Sequence, residues 1–313
     1  MILTVTGNTT VDLTLFIPEF VQQRTIRATE ALYSPGGKPT DASYILGELG
    51  IASHALGFAG GATGTRLEQM LRSKGVTVDF TPAEGDTRIC VNIVVPAESW
   101  QTTITTVTMN VLPEQLAALR TRYLELLPQA SCVVLGGTLP RGLDETFYTD
   151  LIALARAQQV PVIFDAAEPN LSAGLKSGPT LIKPNHHELE GLVGYPINTL
   201  EDAYRAGRAV LEQYGTIPVI SMGSEGGLVV LPDAAWHIPP LEVEVASATG
   251  AGDAILAGLA ASIERGQPIE EGLRLGFAAA SAVVMMPGTA ECRREDVERL
   301  LPQVRLIPYP PSV

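Results

Sequence analysis

The residues with the clearest chemical content are Gly250-Ala251-Gly252-Asp253. The two glycines allow tight backbone geometry that a Cβ would obstruct. A helix that begins here would present unpaired backbone N–H groups, which favour a phosphate or another developing anion. Asp253, in the first turn, could accept a proton from a hydroxyl nucleophile, and this combination is what phosphoryl transfer needs. The alternative is a strand-to-helix turn whose aspartate only complements the helix dipole.

A second glycine-rich stretch, Gly36-Gly37-Lys38, precedes a helix predicted over 42–49. The two glycines would let the backbone come close to a ligand, and Lys38 stands where its ammonium could meet an anion. The alternative is a tight turn into the helix, with Thr40 or Asp41 as the N-cap residue. The residues by themselves do not choose between these two interpretations.

A third candidate is the pair Asn185 and Glu188, which follows a predicted strand and Lys183. At this spacing the two side chains form a capping box at the start of a helix. The same pair could hold a hydrated Mg²⁺ and phosphate oxygens, although the capping box alone accounts for the pattern. His186 and His187 are adjacent and do not share a helix face, so we expect them to be exposed rather than to bind metal.

Two charged residues lie in stretches that predict strands. Asp12 falls in an apolar run over 11–17, where we expect a half-exposed side chain that needs no function. Arg88 falls in a Thr- and Val-rich run, and an arginine in an antiparallel strand usually lies on its solvent face. Neither residue, taken alone, indicates a binding site.

The elements that must position these residues alternate between strand and helix. Strands are predicted at 2–6, 54–58, 132–135, 162–165, 180–183, 219–221, 228–231, 236–238 and 241–245, and helices at 42–49, 64–74, 114–127, 145–159, 200–214, 254–265, 269–286 and 293–301. This alternation predicts a mostly parallel sheet covered by helices on both faces. Ligands bind such sheets outside the carboxyl ends of the strands, where the glycine-rich loops would converge.

One part of the chain departs from the strand–helix alternation. The runs 86–95 and 101–109 form a hairpin-like pair. Together with 11–17 and the region around 26–32, this pair predicts a small separate sheet.

Composition excludes several classes of protein. The 313 residues carry a net charge of −13, which argues against a broad surface for nucleic acid or an anionic membrane. The three cysteines, Cys90, Cys132 and Cys292, are far apart and predict neither a disulfide framework nor a zinc site. With no signal-peptide pattern and no membrane-spanning run, we expect a protein of the reducing cytoplasm.

Taken together, these pieces resemble the ribokinase-like (PfkB) family of carbohydrate kinases over nearly the whole chain. The motifs that carry the resemblance, in family order, are Gly36-Gly37-Lys38, Gly137-Thr138-Leu139-Pro140, Lys183-Pro184-Asn185 with Glu188, Ser221-Met222-Gly223 and Gly250-Ala251-Gly252-Asp253. Asn8-Thr9-Thr10-Val11-Asp12 and Thr87-Arg88-Ile89 are similar to the 1-phosphofructokinase and tagatose-6-phosphate kinase branch, which acts on sugar phosphates.

The resemblance implies a role for each matching residue. It makes Asp253 the catalytic base and Gly250, Ala251 and Gly252 the anion hole. It places the sugar against Asp12, Gly36, Gly37 and Asp41, with Lys38 and Arg88 as candidates for the phosphate already on the sugar. It places the nucleotide against Lys183, Asn185, Ser221, Gly223 and Gly226, with Glu188 supporting Mg²⁺ through water.

The resemblance also implies an architecture and ligands. It predicts one α/β domain over 1–313, a ribokinase-like three-layer α/β/α sandwich with a mostly parallel central sheet. A small β-sheet lid, formed discontinuously by 11–33 and 86–109, would shield the reaction from water and could pair two subunits into a homodimer. ATP, Mg²⁺ and a sugar or sugar phosphate are the implied ligands, without nucleic acid or membrane.

Several positions depart from the family pattern. Asp41 stands where the family has Asn, and a carboxylate there would repel a nearby phosphate and prefer hydroxyl donors. Cys90 replaces an Asn, and 105–110 lacks an Asn-Glu-Pro-Gly-like loop. Ser247-Ala248 replaces Asp-Thr or Asn-Thr, which leaves monovalent-cation activation open. Two alternatives therefore stay open: a kinase for an unphosphorylated sugar or nucleoside, and a non-catalytic nucleotide- or sugar-binding regulator.

Overall fold

The computed structural model describes residues 1–98, 100–247 and 249–310 of the chain. Strands and helices alternate along most of it. The strands are β1 (Ile2–Thr6), β2 (Thr10–Phe16), β3 (Glu30–Gly36), β4 (Ser53–Ala59), β5 (Thr77–Pro82), β6 (Arg88–Val95), β7 (Trp100–Thr105), β8 (Cys132–Gly136), β9 (Val162–Asp165), β10 (Leu181–Ile182), β11 (Ile217–Ser221), β12 (Gly227–Val230), β13 (Ala235–Ile238) and β14 (Ile307–Pro308). The helices are α1 (Lys38–Glu48), α2 (Gly61–Ser73), α3 (Pro113–Leu126), α4 (Thr146–Ala157), α5 (Asn170–Leu175), α6 (His186–Val193), α7 (Leu200–Tyr214), α8 (Ala251–Glu264), α9 (Ile269–Val284) and α10 (Arg294–Leu300).

The large sheet has the strand order β14-β13-β12-β11-β10-β9-β8-β1-β4-β5. From β5 to β11 every neighbouring pair is parallel. The last three strands, β12 to β14, continue the sheet in antiparallel pairs. The mostly parallel central sheet predicted from the sequence is therefore confirmed, with an antiparallel extension at one edge.

Helices cover both faces of this sheet and enclose a core on each. One core contains Leu119 of α3, Leu151 of α4 and Val210 of α7. The other contains Ile45 of α1 and Leu256 of α8. Each fully buried aliphatic side chain of this kind contributes roughly 1.5–3 kcal/mol, so the two cores fix the helices firmly on the sheet. This is the three-layer α/β/α arrangement expected from the sequence.

Small residues let α8 pack closely against its neighbour α9. A Cβ at Gly258 of α8 would collide with the backbone of Gly276 of α9, and a Cβ at Gly276 would lie 2.9 Å from the Ile255 Cα. The two helix backbones therefore touch. This contact fixes the axis of the helix whose first turn carries Asp253.

Four strands form the small separate sheet, in the order β3-β2-β6-β7. β2 and β6 pair in parallel, whereas the two outer strands pair antiparallel to their neighbours. The expected location of β3, around 26–32, is about four residues too early. Ser34 to Gly36, expected in a loop, end this strand, and helix α1 begins at Lys38 with Gly37 as its N-cap residue. Thr40 and Asp41 are therefore not the N-cap.

Other elements also differ from expectation. The run 241–245 is not a strand, and β5, α5 and β14 were not predicted. The alternating residues Leu241, Val243 and Val245 instead line a cavity. This explains why a strand-like pattern occurs without a strand. No described helix has both the length and the apolar character needed to cross a bilayer.

Candidate active site

Asp253 lies in the first turn of α8, as expected, although this helix begins at Ala251 and not at the predicted residue 254. Gly250 is the N-cap residue, with a φ of 85°. A Cβ at this position would lie 2.5 Å from the Ala290 backbone nitrogen, so glycine is required by both conformation and space. The Asp253 N–H donates to the Gly250 carbonyl at 3.1 Å. The N–H groups of Ala251 and Gly252 have no acceptor within the helix and are available at its N-terminus.

The environment of Asp253 makes its carboxyl more basic than usual. Burial and the nearby Asp165 carboxylate raise the pKa of Asp253 to about 7, against the opposing effect of the Lys38 and Lys183 ammoniums. A carboxylate with a pKa near the working pH is well matched to general-base catalysis. The first turn of α8 therefore combines free backbone donors with a carboxyl of raised pKa.

A cavity of about 690 Å³ opens in front of this turn. It is lined by all five residues expected to bind the nucleotide, together with Lys38, Glu188, Asp253 and a largely apolar wall. The lining includes Lys183, Asn185, Ser221, Gly223 and Gly226 on the polar side and Leu241, Val243, Val245, Ile255, Phe277 and Val284 on the apolar side. The cavity can accept a flat ring against the apolar wall and an anion against the charged end.

An ion-pair cluster around the buried Asp165 forms the charged end. Lys38 Nζ lies 2.5 Å from Asp165 Oδ1 and 2.8 Å from Glu188 Oε1, and Lys183 Nζ lies 3.0 Å from Asp165 Oδ2. Burial alone would raise the pKa of Asp165, but the Lys183 and Lys38 ammoniums outweigh it and hold that pKa below its ordinary value. Burial opposes the charge on Lys38, yet Asp165, Glu188 and Asp253 together raise its pKa. Lys38 therefore stays charged beside Asp253.

Glu188 and Asn185 form the predicted capping box of α6. The Glu188 N–H donates to Asn185 Oδ1 and the Asn185 N–H donates to Glu188 Oε2, both at 2.9 Å. The described residues contain no group of three or more side chains that could enclose a metal ion. Mg²⁺ commonly keeps its waters and binds one or two carboxylates plus substrate phosphates, and Glu188 at the cavity fits that mode. His186 is only partly exposed, so the expectation that both histidines are exposed holds for His187 alone.

Asp12 lies outside this cavity and is buried, not half-exposed as expected. Its carboxyl fits beside Gly36, where a Cβ would come 2.5 Å from Asp12 Oδ1. Burial raises the pKa of Asp12 to about 6, while hydrogen bonds with Thr289 and Asn92 and the charge of Arg88 pull it down. Gly36 therefore serves to admit a carboxyl into the small sheet.

Arg88 and Asp41 lie near the same acidic residues. Arg88 Nε donates to Thr10 Oγ1 at 2.7 Å, and its guanidinium acts on Asp12, so the side chain is not simply on the solvent face. Asp41 is 2% exposed, and its carboxyl is within hydrogen-bonding reach of Asp253. Lys38, expected beside Arg88, instead contacts Asp165 and Glu188 on the nucleotide side.

Three further positions that depart from the family pattern are Cys90, Ser247 and Ala248. Cys90 on β6 faces Asp12 on β2 in the strand register. Ser247 is buried, and its Oγ accepts the Thr249 N–H at 3.3 Å. Ala248 lies outside the described residues.

Sequence reasoning missed three residues of the site: Asp165, Asn92 and Thr289. Asp165 ends β9 at the carboxyl edge of the sheet, and an acidic residue closing a buried strand was a usable signal. Asn92 and Thr289 reach Asp12 from β6 and from the turn after α9. Their separation of 197 residues left no local pattern to find.

Comparison with known proteins agrees with this geometry. A family model described as "pfkB family carbohydrate kinase" matches residues 3–296. The chain is 32% identical to a 1-phosphofructokinase of Bacillus subtilis over 308 residues, covering 98% of this chain and 99% of that protein. It is 28% identical to a tagatose-6-phosphate kinase of Staphylococcus epidermidis over 311 residues, covering 98% and 99%. Phosphofructokinase-2 from Escherichia coli, solved with substrates and products, superimposes with a TM-score of 0.90 at 28% identity, covering 96% of this chain and 98% of that chain.

Proposed function

The chain belongs to the pfkB family of carbohydrate kinases, and we propose that it transfers the γ-phosphoryl group of ATP to a hydroxyl of a sugar phosphate. One observation carries the proposal. The Asp253 carboxylate, the free N–H groups of Ala251 and Gly252, and the ammoniums of Lys38 and Lys183 all face one cavity end. A base, an anion hole and fixed cations at one point are the parts that phosphoryl transfer requires.

In the proposed reaction Asp253 removes the proton of the attacking sugar hydroxyl. The sugar oxygen forms the new P–O bond, the bond between the β- and γ-phosphates of ATP breaks, and ADP leaves with the electron pair. The N–H groups at the start of α8 and the ammoniums of Lys38 and Lys183 stabilise the charge on the transferring group. When bound, Mg²⁺ neutralises phosphate charge, and Glu188 would hold it through water.

Arg88 is the proposed ligand for the phosphate already on the sugar. Its recorded side-chain hydrogen bond uses Nε, which leaves the two terminal nitrogens of the guanidinium for a bidentate phosphate contact. Lys38 is engaged with Asp165 and Glu188, so we assign it to the transferred phosphoryl group and not to the sugar phosphate. The names of the two curated relatives above, a fructose-phosphate and a tagatose-phosphate kinase, support a phosphorylated substrate.

A coupled ADP-release assay with Mg-ATP tests the proposal. The panel sets fructose 1-phosphate, fructose 6-phosphate and tagatose 6-phosphate against fructose, ribose and nucleosides. We expect turnover only with the phosphorylated sugars, and Arg88→Ala should raise the KM for the sugar phosphate at least ~10-fold, as expected for loss of a hydrogen bond to a charged group. Turnover only with neutral substrates would contradict the sugar-phosphate assignment, and turnover with none would contradict the kinase.

We also propose that two copies pair through the small sheet in the cytoplasm. The outer strands of this sheet carry Tyr33, Trp100 and Ile104, which are exposed, with Phe20 and Val107 exposed nearby. Apolar residues on an unpaired sheet edge favour pairing with a second sheet. Three free cysteines fit a reducing compartment that supplies ATP.

A further inference from the structure

Asp41 is buried close to Asp253 and near a third carboxyl, that of Asp12. It stands three residues after Lys38 on α1, so both side chains lie on the same face of that helix. The side chain is 2% exposed, and its carboxyl is within hydrogen-bonding reach of Asp253 on α8. Asp12 on β2 and Cys90 on β6 are the other acidic groups that act on it.

The cations near Asp41 stabilise the ionised forms of the other two carboxyls, Asp253 and Asp12. Lys38 and Lys183 favour the ionised form of Asp253, and Arg88 favours the ionised form of Asp12. The strongest influences on Asp41 are burial, Asp253 and Asp12, and all of them raise the pKa of its carboxyl. The buried carboxyls of Asp41 and Asp253 are within hydrogen-bonding reach and cannot both ionise, so the proton resides on Asp41, the one without a cation.

One oxygen of Asp41 has no partner. Asp41 Oδ1 is buried and accepts no hydrogen bond from any described residue. A buried acceptor without a donor is uncommon in a native protein and calls for a ligand, a water or a functional role. The carboxyl to which this oxygen belongs is within hydrogen-bonding reach of Asp253, the proposed base.

We propose that Asp41 is protonated at neutral pH and donates a hydrogen bond to the Asp253 carboxylate. Through Oδ1 it accepts a hydrogen bond from a second sugar hydroxyl, adjacent to the hydroxyl that receives the γ-phosphoryl group. The substrate class is then a sugar phosphate with two neighbouring free hydroxyls. In this state Asp41 is neutral, offers the donor and acceptor of an amide, and does not repel a substrate phosphate. The inference rests on the proposed function and adds the protonation state of Asp41 and its role in positioning the base.

The protonation state can be read without any turnover. In protein labelled with ¹³C at the aspartate side-chain carboxyl, the Asp41 signal is identified by its loss in Asp41→Asn. We expect that signal to be that of a neutral acid at pH 7 and to titrate only at alkaline pH. Asp150→Asn, which removes an exposed carboxylate of the same charge, serves as the control that leaves this signal in place.

The pH dependence of substrate affinity gives the second readout. In the wild type, ionisation of Asp41 places a negative charge beside the substrate, so the KM for the sugar phosphate should rise at least ~10-fold at alkaline pH. Asp41→Asn should abolish that rise, and Asp150→Asn should keep it. Asp41→Ala loses both hydrogen bonds, so its kcat/KM should fall at least ~10-fold below that of Asp41→Asn.

The outcomes separate this inference from the proposed function. An ionised Asp41 signal at pH 7, or an alkaline rise in KM that persists in Asp41→Asn, would overturn the inference even in an active kinase. A neutral Asp41 signal in a protein that phosphorylates no sugar would overturn the proposed function while supporting the protonated carboxyl. Removing the neighbouring hydroxyl from the substrate should lower kcat/KM less in Asp41→Ala than in the wild type, since the variant has already lost that contact.

Discussion

At the scale of single residues, five carboxyls in and beside the cavity share three cations. Asp165 holds Lys38 and Lys183 through direct ion pairs, which keeps both ammoniums beside Asp253. Asp253 is therefore near enough to cations to ionise at neutral pH but buried enough to remain a base. No exposed carboxylate could combine these two properties, because water would return its pKa to the ordinary value.

The pKa of Asp253 predicts the pH dependence of turnover. Because the base works only when ionised and its pKa is raised to about 7, kcat should rise as the pH increases and reach half its maximum near pH 7. Initial rates at saturating substrates between pH 5 and pH 8 would measure this. A kcat that does not change over that range would show that Asp253 ionisation does not control the chemical step.

At the scale of elements, the start of α8 depends on backbone geometry that only glycine provides. Gly250 has a φ of 85° and lies against the Ala290 backbone. Gly266 has a φ of 61°, and a Cβ added there would meet no atom within 4 Å. Both glycines have a positive φ that is unfavourable for other residues, but only at Gly250 would a Cβ also collide with neighbouring backbone. They therefore form a matched pair for mutagenesis.

Gly250→Ala should damage both stability and activity. A residue with a Cβ costs roughly 1–2 kcal/mol in this conformation, and the collision with Ala290 would also displace the first turn of α8. We expect a lower Tm and a kcat reduced at least ~10-fold through a misplaced anion hole and base. Gly266→Ala should lower the Tm alone, and equal loss of kcat in both variants would argue against a positioning role for Gly250.

At the scale of the whole molecule, the exposed apolar edge of the small sheet predicts a dimer. Light scattering after gel filtration should give the mass of two 33.2 kDa chains at micromolar concentration. Ile104→Asp on β7 should give the mass of one chain, because a buried unpaired carboxylate opposes association. Leu124→Asp, at an exposed leucine on α3 outside the small sheet, should remain a dimer. A monomeric wild type would contradict the pairing.

Sequence patterns were reliable where the controlling interaction is local. The capping box of Asn185 and Glu188 spans one helical turn, and the buried apolar runs of β1 and β8 are continuous in sequence. Long-range packing decided the rest. Lys38 and Asp165 are 127 residues apart, and Asp12 is buried because Gly36 lies beside it. The alternating run at 241–245 has the period of a strand, yet its apolar side chains line the cavity.

The most direct test of the central claim is turnover and nucleotide binding in Asp253→Asn. Loss of the base should reduce kcat at least ~10²-fold, while ATP binding measured by calorimetry stays near the wild-type value. Because the folded protein raises the pKa of Asp253, ionising this carboxyl costs stability, and the cost grows as the pH rises from about 4 through 7. Asp253→Asn removes that cost, so the variant should melt at a higher temperature than the wild type at pH 8. This result would exclude misfolding. A folded variant with near wild-type turnover would contradict Asp253 as the catalytic base.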